Sequence, residues 1–247
     1  MQAGVRTASH ATCSKTSRLP PASARVAILR APVMSFDTLA PYYHGLEAVL
    51  AGGVLQRCRT AFLAETTASR HALLLGEGPA RFLVALLQTN PLLAVTCVER
   101  SPRMIQQARR ALKQHRLADD QVTFVQAGAL AWLPTPGMFD LVATHSFLDC
   151  FRRDELVSLV AKLAEGAAAE GRWLLADFGL PERGWPRWRA RGLLALMYAC
   201  FCRATGLSAS HLTPPDEVLA AAGFRLANGR LANAGLVHSD LWMRISS

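Results

Sequence analysis

The chain has 247 residues, the length of one domain with a sizeable core. Its composition, 51% hydrophobic and 18% charged, is that of a globular protein and excludes a disordered one. The longest apolar run lies within residues 193–202 and is roughly half of what a membrane-spanning helix requires, so we expect no transmembrane segment.

The net charge of +9 raises the question of a nucleic-acid partner. One group of cations without any acid lies in residues 100–116, where it alternates with apolar residues as the solvated face of a helix does. No aromatic residues interleave with these cations to stack on bases. We therefore do not expect nucleic acid as a partner. The six cations are Arg100, Arg103, Arg109, Arg110, Lys113 and Arg116.

Residues 1–35 have a composition unlike that of the rest of the chain. They hold five cations and no acid, and they are rich in Ser, Thr and Ala. This composition is typical of a transit peptide, and equally of a disordered tail or of a start placed too early, with Met34 as the later start. We expect an N-terminal extension that the fold does not need, with ordered sequence beginning near Phe36.

An apolar strand that runs into a glycine turn is the most informative feature of the sequence. Leu73 to Leu75 form a continuous apolar run, as expected of a central parallel strand that is buried on both faces. The turn that follows lets the backbone bend tightly and lets a ligand approach it. A helix predicted over residues 80–87 would direct its N-terminus at that ligand and favour its anionic group. The turn consists of Gly76, Glu77, Gly78, Pro79 and Ala80.

The next predicted strand, residues 95–99, ends in Glu99. A carboxylate at the carboxyl end of that strand can accept two hydrogen bonds from a ribose diol. The glycines alone are equally well explained by a structural turn, and Glu99 favours a nucleoside site. A nicotinamide-dependent oxidoreductase would also use this pair of features, but its motif continues to a glycine where this chain has Arg81.

The later elements alternate between strand and helix until the end of the chain. Helices are predicted over 103–116, capped by Ser101 and Pro102, and over 155–164 and 214–222, and strands over 122–126, 139–144, 172–178, 224–230 and 236–244. The last two strands are joined by so short a turn that they must pair antiparallel. We predict an α/β fold: a doubly wound, mostly parallel seven-stranded sheet with a C-terminal antiparallel hairpin.

His145, after the fourth strand, has the ordinary pKa range of a general base. It is equally a candidate to bond locally or to line a pocket, and Asp149 a candidate to cap or orient the following turn. His44 and His211 are weaker candidates. The six cysteines are scattered, so we expect neither a metal site nor a disulfide framework, and we expect a reducing, cytoplasmic location.

From about Phe36 to Arg244 the chain resembles class I S-adenosylmethionine-dependent methyltransferases, most closely the branch of the ubiquinone/menaquinone C-methyltransferases. Its order and spacing of motifs carry the resemblance. The matching stretches are Phe36–His44, Leu75–Arg81, Glu99, Gln126–Ala129 and Ala221–Phe224. Two positions depart from the family: Ala80 replaces the last glycine of the turn, and Gly128 lies where a carboxylate usually faces the adenine amino group.

The resemblance implies S-adenosyl-L-methionine as cofactor and in-line methyl transfer to a small acceptor. Tyr43 would reach over the cofactor's amino-acid end and joins His145 as a catalytic candidate. Without a carboxylate at position 128, the adenine would rely on backbone groups and on Met104 and Leu130. The implied cofactor-binding residues are Gly76, Glu77, Gly78, Pro79, Ala80, Glu99, Arg100, Met104, Ala127, Gly128, Ala129, Leu130 and His145. A fold of this family that has lost the cofactor and acts as a binding protein is a further alternative.

In this fold, the segment at residues 181–213 commonly covers the acceptor pocket, and we predict that it forms a substrate lid. It contains Trp185 and Trp188 and the apolar helical stretch 193–202, which would suit a hydrophobic acceptor. An ordinary buried helix would have the same composition. Its arginines could instead rest on anionic lipid, which would make peripheral membrane contact. They are Arg183, Arg187, Arg189 and Arg191.

Overall fold

The computed structural model describes residues 53–118, 120–181, 183–205 and 212–245, with only the backbone over 198–205. The predicted extension at 1–35, the Phe36–His44 motif with Tyr43, and His211 lie outside these residues.

Seven strands in the described part of the chain form one sheet, in the order β3-β2-β1-β4-β5-β7-β6. The neighbours from β3 to β5 pair in parallel, whereas β7 runs antiparallel to both β5 and β6. The predicted fold class is therefore confirmed. The strands are β1 (His71–Leu75), β2 (Ala94–Glu99), β3 (Val122–Gln126), β4 (Phe139–His145), β5 (Ala167–Phe178), β6 (Phe224–Ala232) and β7 (Val237–Arg244).

Six α-helices are described over the same ranges, and they pack on both faces of the sheet. They are α1 (Gly53–Arg59), α2 (Arg81–Thr89), α3 (Pro102–Gln114), α4 (Arg153–Gly166), α5 (Gly184–Thr205) and α6 (Asp216–Ala221). None of them is long and apolar enough to cross a membrane.

Alternate side chains of the strands enter two apolar layers, because successive residues of a strand point to opposite faces. Leu74 packs in the layer that α2 and α3 cover, together with Phe82 and Leu112. Leu73 packs in the layer that α4 and α6 cover, together with Leu159. The strands are thus buried on both sides, as the continuous apolar run in β1 predicts.

The amphipathic pattern of residues 103–116 also appears in the structure. In α3, Met104, Ala108 and Leu112 are buried at four-residue spacing. Ser101 caps the helix, since its hydroxyl oxygen accepts a hydrogen bond from the Met104 amide at 3.1 Å. Arg103, Arg110 and Lys113 lie on the exposed face, so the cations cover the helix without entering the core.

The beginning of β5 differs from the sequence prediction, which places it at residue 172. The strand starts at Ala167, and its pairing with β4 shifts register between Phe139 and Leu141, so residues 168–171 form an irregularity. The segment Ala167-Ala168-Ala169-Glu170-Gly171 lacks the β-branched and aromatic residues that indicate a strand. Pairing with β4, rather than local propensity, extends the strand.

The position of the site follows from one reversal in the strand order. The chain builds outward from β1 to β3 and then returns to the other side of β1 for β4. The crossover helices on the two sides of this point lie on opposite faces of the sheet, which leaves a crevice at the carboxyl ends of β1 and β4. The predicted site residues follow those strand ends.

Candidate functional site

The turns that follow the parallel strands are joined by backbone hydrogen bonds into one edge. The Gly76 amide donates to the Val98 carbonyl at 3.1 Å, and the Ala127 amide donates to the Glu99 carbonyl at 3.2 Å. On the other side, the Ser146 amide donates to the Ala176 carbonyl at 2.8 Å. The structure therefore brings the predicted residues of the first four strand ends together.

Three residues of the glycine turn adopt left-handed backbone conformations. The φ angles are +64° at Gly76, +59° at Gly78 and +65° at Ala80. Ala80 is fully buried and precedes α2 directly. A left-handed conformation costs a residue with a Cβ roughly 1–2 kcal/mol, so Ala80 carries local strain that a glycine would not.

The side chain of Glu77 caps α2. Its Oε1 accepts hydrogen bonds from the amides of Phe82 and Leu83, at 2.9 and 2.8 Å. The helix N-terminus that we expected to favour a ligand's anionic group thus binds the chain's own carboxylate. Burial raises the pKa of Glu77 to about 7, although the Leu83 amide and the nearby Arg59 oppose the shift.

The ring of Phe147 lies directly against Gly76. A Cβ built on Gly76 would be 2.3 Å from Cδ2 of Phe147, a distance that no stable packing allows. A Cβ on Gly78 or on Gly128 would meet nothing within 4 Å. The space at this edge is therefore beside Gly78 and Gly128.

Glu99 lies between these two glycines along the edge, at the end of β2. Its side chain is half-buried, and its Oε1 accepts a hydrogen bond from the Ser101 amide at 2.8 Å. Arg100 is exposed, whereas Met104 is buried in α3. The carboxylate is held by the backbone next to the open space.

The turn after β3 packs on the apolar layer that also holds Phe147. Ala127, Ala129 and Leu130 are half-buried there. The Gly128 carbonyl accepts hydrogen bonds from the amides of Ala131 and Trp132, at 3.0 and 3.1 Å, and these bonds fix the turn. Half-buried apolar residues thus flank Gly128 along the chain, while the space beside Gly128 itself is open.

His145 faces the α1 and α2 side of the sheet. It is 8% exposed and packs edge-on against the Phe82 ring, with ring centroids 4.3 Å apart. Burial, reinforced by the charge of Arg59, lowers the pKa of His145 to about 3. The imidazole is therefore neutral at pH 7 and is a weak base.

Sequence reasoning missed Arg59, a buried cation at the end of α1. Its charge acts on both Glu77 and His145. Two hydrogen bonds fix α1 here: the Ser239 hydroxyl donates to the Cys58 carbonyl at 2.9 Å, and Gln56 Nε2 donates to the Arg81 carbonyl at 3.1 Å. Nothing in the local sequence distinguishes Arg59 from its exposed neighbour Arg57.

A group of buried acids lies on the opposite face, at the end of β5. Asp177 is 1% exposed; its Oδ1 accepts a hydrogen bond from the Phe147 amide at 3.1 Å, and its Oδ2 has no partner. Burial raises the pKa of Asp177 well above its ordinary value, and the charges of Asp149 and, more weakly, Asp240 add to this shift.

His238 lies opposite Asp177 in the β5–β7 pairing. Its Nδ1 is 2.6 Å from the Oδ2 of Asp240. The position of Asp177 at a strand end was the only sequence signal for it.

The predicted lid has two different sides. The inner side of α5 contributes Ala190, Leu194 and Met197 to an apolar cluster with Phe178, the residue after Asp177. Trp185 and Trp188 are exposed instead. The inner stripe, and not the tryptophans, therefore lies beside the end of β5.

Comparison with known proteins agrees with this fold. A family model described as a methyltransferase domain matches residues 72–171, which is less than half of the chain. The structure of the mitomycin 7-O-methyltransferase MmcR superposes with a TM-score of 0.64 at 20% identity, covering 87% of this chain and 62% of that one. The pyocyanin biosynthetic protein PhzM gives 0.61 at 16% identity, covering 85% and 62%.

An O-methyltransferase family protein from Burkholderia thailandensis gives a TM-score of 0.57 at 17% identity, covering 85% of this chain and 58% of that one. The chain spans less than two thirds of the length of these three structures. At such identities the likeness shows a shared fold, the Rossmann-like sheet of methyltransferases. No curated protein matches the chain.

The two glycines of the turn should differ in what they tolerate. Gly76→Ala combines a left-handed backbone with a clash against Phe147, and should lower the free energy of unfolding by about 2–4 kcal/mol. Gly78→Ala has the backbone penalty alone, about 1–2 kcal/mol. Urea denaturation measures both losses in the free energy of unfolding. Adding Phe147→Ala to the Gly76→Ala protein should recover part of the loss that Gly76→Ala causes. Equal losses for the two glycines would contradict the packing of Phe147.

Asp177→Asn should flatten the pH dependence of stability. The folded-state pKa of Asp177 is raised. Its contribution to the free energy of unfolding is therefore fully present below the unfolded-state pKa of about 4, and it is lost as the pH rises through the folded-state pKa. The variant lacks this loss, so its thermal midpoint should fall less than that of the parent as the pH rises to neutrality. The exposed Asp120→Asn variant should keep the parent's profile, and parallel profiles for Asp177→Asn would refute the burial of a protonated carboxyl.

Proposed function

We propose that the chain is an S-adenosylmethionine-dependent methyltransferase that acts on a small, hydrophobic acceptor. One observation carries the proposal. Glu99 stands at the end of β2 between Gly78 and Gly128, and a Cβ at either glycine would enter open space. This arrangement lies at the strand-order reversal, where such sheets bind nucleosides. The matched methyltransferase domain covers all three residues.

In this proposal Glu99 accepts hydrogen bonds from the ribose hydroxyls, and the two glycines let the nucleoside approach the backbone. Ala127, Ala129 and Leu130 supply an apolar surface for the adenine. When bound, the cofactor supplies a methyl group on a sulfonium, which is an excellent leaving group. The protein must then mainly align the acceptor and exclude water. Arg100, which is exposed, and Met104, which is buried, remain predicted members of this site.

A proton leaving an oxygen or nitrogen acceptor needs a base near the ends of β4 and β5. His145 is neutral but weak as a base, since its pKa is lowered to about 3. Asp149 and Asp177 are buried side by side on the other face, and the Oδ2 of Asp177 has no partner. Because Asp177 holds its own proton, we assign proton acceptance to Asp149 beside it, and we assign His145 to the wall of the site.

The inner stripe of α5 supports a hydrophobic acceptor, because it places apolar side chains against Phe178 at the end of β5, on the face of the sheet that also holds His145. The name of one similar structure, mitomycin 7-O-methyltransferase, refers to transfer to oxygen. The quinone C-methyltransferase branch, which the sequence most resembles, stays a prediction. The buried thiols of Cys58 and Cys97 form no disulfide, which supports the proposed cytoplasmic location.

Glu99→Ala should weaken S-adenosylmethionine binding about ten- to a hundredfold, because hydrogen bonds to a charged group contribute roughly 1.5–3 kcal/mol. Isothermal titration of the full-length protein measures the dissociation constant. Glu165→Ala, which removes an exposed acid of α4, is the matched control and should bind as the parent does.

The parent protein should bind S-adenosylmethionine and not NAD. Binding of NAD alone would support the oxidoreductase alternative. If neither binds, the fold has lost its cofactor and the proposal is wrong. Because Glu99 also accepts the Ser101 amide, the thermal midpoint of Glu99→Ala should be measured to separate lost binding from lost folding.

Gly128→Asp should strengthen S-adenosylmethionine binding about tenfold. It restores the carboxylate that the family directs at the adenine amino group, and one such hydrogen bond contributes roughly 1.5 kcal/mol. The new side chain has room, since a Cβ at this position meets nothing within 4 Å. Gly128→Asn and Gly128→Ala serve as controls. Unchanged affinity in Gly128→Asp would place the adenine elsewhere.

A further inference from the structure

Helix α5 has an apolar stripe on its exposed side. Trp185 is 76% exposed, Trp188 67% and Leu196 61%. With Gly192 between them, these residues are spaced by three, four and four positions, which keeps them on one side of a helix. The buried Ala190, Leu194 and Met197 hold the other side of the helix against the domain. The outer stripe is therefore presented to solvent by a fixed helix.

Cations accompany this stripe. The Arg191 guanidinium lies 5.5 Å from the centroid of the Trp188 ring, and Arg183 is exposed just before the helix. Arg189 donates to both the backbone carbonyl and the side-chain oxygen of Asn233, at 3.1 and 2.6 Å, which ties the first turns of α5 to the end of β6. The helix contains no Asp or Glu. We call Arg183, Trp185, Trp188, Arg191 and Leu196 the α5 outer face.

We propose that the α5 outer face docks on the surface of an anionic phospholipid bilayer. Indole rings favour the boundary between headgroups and acyl chains, where the ring is in apolar surroundings and its N–H remains hydrated. Guanidinium groups bind phosphate in a bidentate manner, and each cation near an anionic membrane strengthens binding. A helix held by its inner stripe can lie flat in that interface.

The rest of the described surface lacks this combination. Leu92 and Leu133 are 79% and 68% exposed, and Leu226 and Leu231 of β6 are 51% and 76% exposed, but none of the four lies in a helix with exposed tryptophans. Single exposed apolar residues are normal on soluble proteins, whereas a row of them flanked by cations matches the chemistry of an anionic membrane. Docking does not depend on the proposed function, because neither cofactor nor acceptor takes part in it.

Co-sedimentation of the full-length protein with vesicles tests the proposal. The protein should bind vesicles of equimolar phosphatidylcholine and phosphatidylglycerol, and bind phosphatidylcholine alone at least about tenfold more weakly. Trp185→Ser with Trp188→Ser should weaken binding to the anionic vesicles about tenfold or more, as loss of two interfacial side chains predicts. Arg183→Glu with Arg191→Glu should abolish the preference for anionic lipid. Leu92→Ser with Leu133→Ser removes equally exposed apolar groups elsewhere and should change nothing.

A second measurement locates the contact directly. Brominated acyl chains should quench tryptophan emission of the parent protein. The Trp185→Ser, Trp188→Ser protein, which retains the half-buried Trp132 and the buried Trp173 and Trp242, should lose most of that quenching. No binding to anionic vesicles, equal binding to both vesicle types, or full binding by the tryptophan variant would overturn the proposal. So would a change from dimer to monomer in that variant by size-exclusion chromatography, because the face would then bind a second copy of the chain.

Discussion

The parallel pairing of β1 with strands on both of its sides is the constraint on which the rest of the structure depends. Ala72 to Leu75 pair with Val95 to Val98 on one side and with Leu141 to Thr144 on the other, and all four are buried. A strand in this position can carry no polar side chain along its length. Polar chemistry is therefore concentrated where the strand stops, and parallel pairing brings the ends of its neighbours to the same edge.

At that edge the sheet separates two kinds of electrostatic environment. On the face of α1 and α2, the buried cation Arg59 lies near Glu77 and the neutral His145. On the face of α4 and α6, Asp149 and Asp240 lie near Asp177, whose carboxyl holds its proton, and His238 is the counter-group of Asp240. The alternation of side chains along β4 and β5 produces this division, since His145 and Asp177 lie on opposite faces of adjacent strands. A ligand across the edge would meet both environments at once.

Much of the fold could be predicted from the sequence because buried positions produce a periodic pattern of apolar residues. The apolar run of β1, the four-residue spacing in α3 and the short connection between β6 and β7 each indicate their element. The insertion of β7 between β5 and β6, and the start of β5 at Ala167, depend on pairing partners far along the chain, which local pattern does not encode. The same distinction holds in the site. Gly76, Gly78 and Glu99 were found because they end strands, whereas Arg59 and the cover that Phe147 forms over Gly76 arise only when distant segments meet.

The packing of Phe147 on Gly76 places the two glycines of the turn under different physical constraints. A side chain at position 76 would clash with the ring of Phe147. A substitution there therefore lowers the stability of the fold whether or not a nucleoside is bound. Position 78 opens on empty space, and only its backbone angle and a ligand can constrain it. A relative that had abandoned its cofactor would still keep the first glycine. Substitution of Gly76 therefore tests folding, whereas substitution of the residues beside the open space tests ligand binding.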